Sequence, residues 1–66
     1  MWKVVHIAPN FEAAEHLKNL LESEGLLVTL RGLGTESGGQ GAVEMLVPAS
    51  EAEEAYEIIN SSLIYG

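Results

Sequence analysis

The sequence predicts a small α+β two-layer sandwich, and three observations predict it. Two strand–proline–helix units recur: Val4-Val5-His6-Ile7-Ala8-Pro9 and Ala42-Val43-Glu44-Met45-Leu46-Val47-Pro48 each run straight into an acidic helix start. A third alternating apolar stretch, Leu26 to Arg31, lies between them. The 66 residues (1-66) allow one domain at most, and a chain of this size buries only about 60% of its unfolded surface.

Trp2 to Ala8 is the first strand. Lys3, Val5 and Ile7 fall on one side by period-two alternation, and Trp2, Val4 and His6 on the other. Neither side is cleanly polar; Val5 and Ile7 make the better core pair. Pro9 ends the strand because it has no N–H to give to a ladder. Asn10 is a good N-cap, Glu12 suits the positive end of a helix, and the helix runs to about Glu24. Ala13, Ala14, Leu17, Leu20 and Leu21 form its apolar face, and Gly25 is the residue expected in left-handed conformation after it.

Leu26 to Arg31 is the second strand, with Leu26, Val28 and Leu30 buried and Leu27, Thr29 and Arg31 facing away. Gly32 to Gly41 follows and half of it is glycine (Gly32, Gly34, Gly38, Gly39, Gly41), which loses the most backbone entropy on ordering, so a mobile loop is expected. Ala42 to Val47 is the third strand, burying Val43, Met45 and Val47 and turning Glu44 and Leu46 the other way. After Pro48, Ser50 with Glu53 three residues on reads as a capping box. Ala52, Ala55, Tyr56, Ile59 and Leu63 form the inner face of the second helix.

A weak repeat supports this layout. A shift of 39 aligns Val4 with Val43, Pro9 with Pro48, Glu12 with Glu51, Ala13 with Ala52 and Leu20 with Ile59. The order β-α-β-β-α, with a right-handed crossover from the first strand to the second, leaves room for the third between them, antiparallel to both. The expected fold is a ferredoxin-like sandwich with strand order 1-3-2, both helices on one face, and no fourth strand.

Composition narrows the function. The chain has ten glutamates, no aspartate and three basic residues, a formal charge of −7. Lys3, Lys18 and Arg31 cannot neutralise the ~6–10 phosphates a duplex binder commonly contacts, so neither nucleic acid nor an anionic membrane is an expected partner. There is no cysteine, which excludes a disulfide or thiolate zinc site. No apolar run approaches the ~20 residues of a membrane span, and the N-terminus lacks signal-peptide features, so a cytoplasmic protein is expected.

The residues offer little reactive chemistry. Gly32-x-Gly34 completes no phosphate-binding motif, and Glu36 would repel a phosphate. His6 on a strand and His16 on the wet side of a helix are expected on opposite sheet faces, without metal-ligand spacing. His6 is expected beside Glu44 on the helix-free face of the sheet. The glutamates are expected on solvated helix surfaces rather than in a cleft that would set one pKa apart from another. No catalytic residue, cofactor or metal is expected.

Two surfaces remain. One is the free edge of the first strand, with Lys3 as a guard against further pairing. The other is the helix-free face of the sheet, where alternation sets Trp2, Val4, His6, Leu27, Thr29, Arg31, Ala42, Glu44 and Leu46. That face reads either as an ordinary solvated surface or as a self-association or partner surface. The functional expectation is a non-enzymatic signalling or interaction module using this face, the edge and the glycine loop, with Trp2, Val4, His6, Arg31, Glu44 and Leu46 as contact residues. The alternative is a small-ligand sensor, for an effector or nucleotide, in which residues 32–41 order over the ligand.

Val4-Val5-His6-Ile7-Ala8-Pro9-Asn10, Ala13-Ala14-Glu15, Leu20-Leu21-Glu22-Ser23-Glu24-Gly25-Leu26 and Val43-Glu44-Met45-Leu46-Val47-Pro48 together resemble the DUF2007 family of small bacterial domains, described as prokaryotic signal transducing proteins. The resemblance spans nearly the whole chain. It implies a ferredoxin-like, PII-like fold with Gly32–Gly41 where PII proteins carry a partner-binding loop. PII proteins are trimers that bind adenine nucleotides through several basic residues; this chain has three and lacks the fourth strand. Some chains that open as Trp2 to Asn10 does are labelled glutamate decarboxylase. A pyridoxal-phosphate enzyme needs a Schiff-base lysine, a phosphate site and a buried cleft, which Lys3 and Lys18 on so small a sandwich do not supply.

Overall fold

The expected order of elements is observed. The structure is a computed structural model that describes residues 1–33 and 41–65, with side chains as far as Ser62 in the last helix. Strand β1 is Trp2–Ala8, helix α1 is Phe11–Ser23, β2 is Thr29–Gly32 and β3 is Val43–Pro48. A 3₁₀ turn, Ala49–Glu51, leads into helix α2, Ala52–Tyr65. The strands form one sheet in the order β1-β3-β2, with β3 antiparallel to both neighbours. Expectations for Gly34, Gly38 and Gly39 and for the side chain of Leu63 lie outside the described residues.

Helix α1 begins and ends as its sequence dictates. Extended backbone at Asn10 lets its Oδ1 accept from the Ala13 amide at 2.8 Å, satisfying one of the orphan donors of the first turn. At the other end Gly25 takes φ +90°, where an L side chain would be strained. The Gly25 amide donates to the Glu22 carbonyl at 2.9 Å and the Leu26 amide to the Leu21 carbonyl at 3.1 Å. Leu21 and Leu26, the apolar pair that accompanies this double closure, are both buried.

The core lies between the sheet and the two helices. Val43, Met45 and Val47 of β3 are wholly buried, together with Val5 and Ala8 of β1, Ala14 and Leu21 of α1, Leu26, and Ala52, Ala55 and Ile59 of α2. Val28 and Leu30 pack against this cluster from β2 and the segment before it, as alternation predicts. Shape follows from the two layers: the Cα atoms span 32 × 29 × 15 Å.

Five expectations are corrected. The second strand starts at Thr29, not Leu26. Continuing its register would set Leu27 opposite Pro48, the last residue of β3; the Leu27 amide donates instead to Glu51 Oε1 at 3.0 Å. Gly32 belongs to β2 rather than to the loop, pairing with Val43, and the Leu33 amide donates to the Ala42 carbonyl at 2.8 Å. The Ser50–Glu53 capping box does not form. The Ala49 amide is held by the Met1 carbonyl at 2.8 Å, and the chain turns two residues early, with Pro48 at the N-cap and Ser50 inside the 3₁₀ turn, which has no side-chain cap. Tyr56 is exposed rather than core. The fifth correction concerns β1 and bears on the candidate surface.

Candidate interaction surface

β1 does not keep one phase. Trp2, Lys3 and Val4 pair with Pro48, Val47 and Leu46, but His6, Ile7 and Ala8 pair with Met45, Glu44 and Val43. Val5 is therefore the extra residue of a β-bulge, with two residues of β1 opposing one of β3. Directly opposed residues share a face, so the bulge reverses every side chain after it. His6 and Ala8 turn to the helices with Met45 and Val43. Ile7 turns to the helix-free face with Glu44 and is 55% exposed. The expected core pair Val5 and Ile7 is replaced by Val5 and Ala8.

The helix-free face then reads as three rows across the sheet. Trp2 and Pro48 form the first, Val4, Leu46 and Thr29 the second, and Ile7, Glu44 and Arg31 the third. Leu46 is buried at 7% exposure yet stands apart from the helix-side cluster. Its cross-strand neighbours Val4 and Thr29 shield it, since directly opposed Cβ atoms lie within ~5.5 Å. Trp2 is half exposed at one end and Ile7 at the other, so apolar surface runs along the β1 side. In the third row Arg31 Nη2 and Nε approach Glu44 Oε1 at 2.6 and 2.7 Å. This pair neutralises the two charges that the register places on the face.

Of the six contact residues expected from sequence, the structure gathers Trp2, Val4, Arg31, Glu44 and Leu46 on this face and removes His6 from it. His6 is not beside Glu44, whose cross-strand neighbours are Ile7 and Arg31. It lies with His16 on the helix side, where His6, Pro9, Ala13, His16, Leu17, Leu20 and Ser62 line an open hollow of about 560 Å³. The expectation that the two histidines occupy opposite faces is thus overturned by the same bulge. Among the described residues no three His, Cys, Asp or Glu side chains group closely enough to hold a metal ion. Sequence reasoning missed Ile7. The signal for it was the mixed polarity of both sides of Trp2–Ala8, which is what a change of phase within a strand leaves behind.

The bulge also bears on the edge of β1. A bulge twists an edge away from regular pairing and is one of the devices that blunt it. The free edge is therefore a weaker docking template than the face. Among the described residues no helix is long and apolar enough to cross a membrane. The chain matches no family model, no curated protein and no solved structure.

Proposed function

We propose that the protein is a non-enzymatic interaction module of the regulatory, signal-transducing kind that its DUF2007 resemblance implies, working through the helix-free sheet face in the cytoplasm. The observation that carries this reading is Ile7. Fully burying an isoleucine is worth about 1.5–3 kcal/mol, a large share of the stability of so small a domain, yet the bulge turns Ile7 outward. Trp2 adds a second large apolar anchor on the same face, of the residue type that dominates interface energetics. Recovery of bound proteins from the cells that make the chain tests this. Wild type is expected to retain proteins that Ile7→Glu loses; recovery of the same set by both overturns the reading.

A further inference from the structure

The distribution of charge says which partner the face fits. Of the ten glutamates, Glu12, Glu15, Glu22 and Glu24 sit on α1 or at its end, and Glu51, Glu53, Glu54 and Glu57 on the 3₁₀ turn and α2. Glu36 lies outside the described residues. Glu44 is the one carboxylate that the strand register sets on the helix-free face, and Arg31 neutralises it. Lys3, paired with Val47, belongs to the helix side. The chain is thus strongly acidic across its helix layer and neutral and apolar across its sheet face. A basic partner would be drawn to the helices. What the sheet face suits is another neutral apolar surface whose bearer keeps its own carboxylates far away.

We infer that the occupant is a second copy of this chain, packed sheet face to sheet face with the two helix layers outermost. This rests on the reading of the face as an interaction surface. Face-packed sheets lie ~10 Å apart and each helix layer adds a comparable thickness, so the two acidic layers stand well beyond the ~8 Å screening length of physiological salt. No other broad side of the described chain lets two such acidic molecules meet without opposing carboxylates. Three strands about 4.8 Å apart and at most seven residues long make a small contact. The dimer is accordingly a weak one.

Sedimentation equilibrium of wild type from about 1 µM to 1 mM, at about 0.05 and 0.5 M salt, tests the inference. The expected result is a monomer–dimer equilibrium whose Kd changes less than about threefold with salt, with Trp2 emission shifting to shorter wavelength as dimer forms. Ile7→Glu should raise Kd at least about thirtyfold by burying an unpaired charge, and Glu54→Lys should leave it within about twofold. Trp2→Lys serves should Ile7→Glu lose its circular dichroism, and the wild-type mass and emission decide without either. A dimer that tightens sharply with salt and ignores both face variants overturns the inference, since it would join helix layers. A wild type monomeric at every concentration overturns it too. If bound cellular proteins are still lost with Ile7→Glu, the interaction face survives and the second copy does not; if they are unchanged, both fall.

Discussion

The two sides of β3 are built to different ends. On one side Val43, Met45 and Val47 have no exposed surface and meet both helices through a shared cluster. On the other, Leu46 lies between Val4 and Thr29 and outside the helix-side cluster, Glu44 is paired to an exposed arginine, and the flanking Trp2 and Ile7 are half in water. The same strand, with the same alternation, serves a side that closes the fold and a side that the fold leaves unfinished. Residues on the first side answer to packing. Those on the second include the half-exposed Trp2 and Ile7, and the proposed function rests on that side.

The largest effect that would break or confirm this contrast comes from truncating each side in turn. Met45→Ala removes a wholly buried side chain and should destabilise the domain by about 2–5 kcal/mol. A domain of this size has only about 3–10 kcal/mol in total, so a fraction of the variant should be unfolded at room temperature. Ile7→Ala, measured at low micromolar concentration where self-association is negligible, should cost less than about 1 kcal/mol. Urea midpoints for the two variants decide. Equal losses would mean that Ile7 is core and that the bulge is misplaced.

Much of this contrast was legible in the sequence, and the part that was not has a single cause. Proline at positions 9 and 48, glycine at 25 and the Asn10 cap punctuate the chain locally, and each acts through its own backbone chemistry. The alternation of β3 was equally plain, because the central strand carries no extra residue of its own and keeps one alternation throughout, the bulge lying in β1. β1 misled because a bulge depends on what the neighbouring strand and the helices above can accommodate. Ala8 fits under the helices without exposed surface where the straight phase would have brought Ile7. From that one insertion follow the misplacement of His6, the missed Ile7 and the unexpected meeting of two histidines in one hollow. Ser50 failed for a related reason: a hydrogen bond from the far end of the chain, Ala49 to Met1, outweighed a local capping preference.

The two helix starts supply a middle-sized test of the same lesson. Asn10→Ala removes an observed cap and should cost about 1 kcal/mol. Ser50→Ala removes a hydroxyl that caps nothing and should stay within about 0.5 kcal/mol. Thermal melts of both, against wild type, are sufficient. A Ser50→Ala loss as large as that of Asn10→Ala would show that the capping box forms in solution after all, and that local signal had prevailed over the Met1 contact.

The smallest expected effect sharpens the contrast at the centre of the open face. Arg31 is 61% exposed and Glu44 17%, so the pair is an exposed one on the arginine side and largely shielded on the glutamate side. Exposed ion pairs contribute about 0.2–1 kcal/mol. The two single variants should nevertheless differ. Arg31→Gln leaves a carboxylate in a partly dry place without its partner, whereas Glu44→Gln leaves an arginine that water already solvates. The first should therefore lose more than the second in urea titration at low salt, by a few tenths of a kcal/mol. The difference should shrink at about 1 M salt, where screening acts over ~3 Å. If Glu44→Gln proves the more damaging change, the carboxylate is holding the sheet rather than being held on it. The open face would then owe its arrangement to folding, as the helix side does, and the asymmetry between the two sides of β3 would no longer point to a partner.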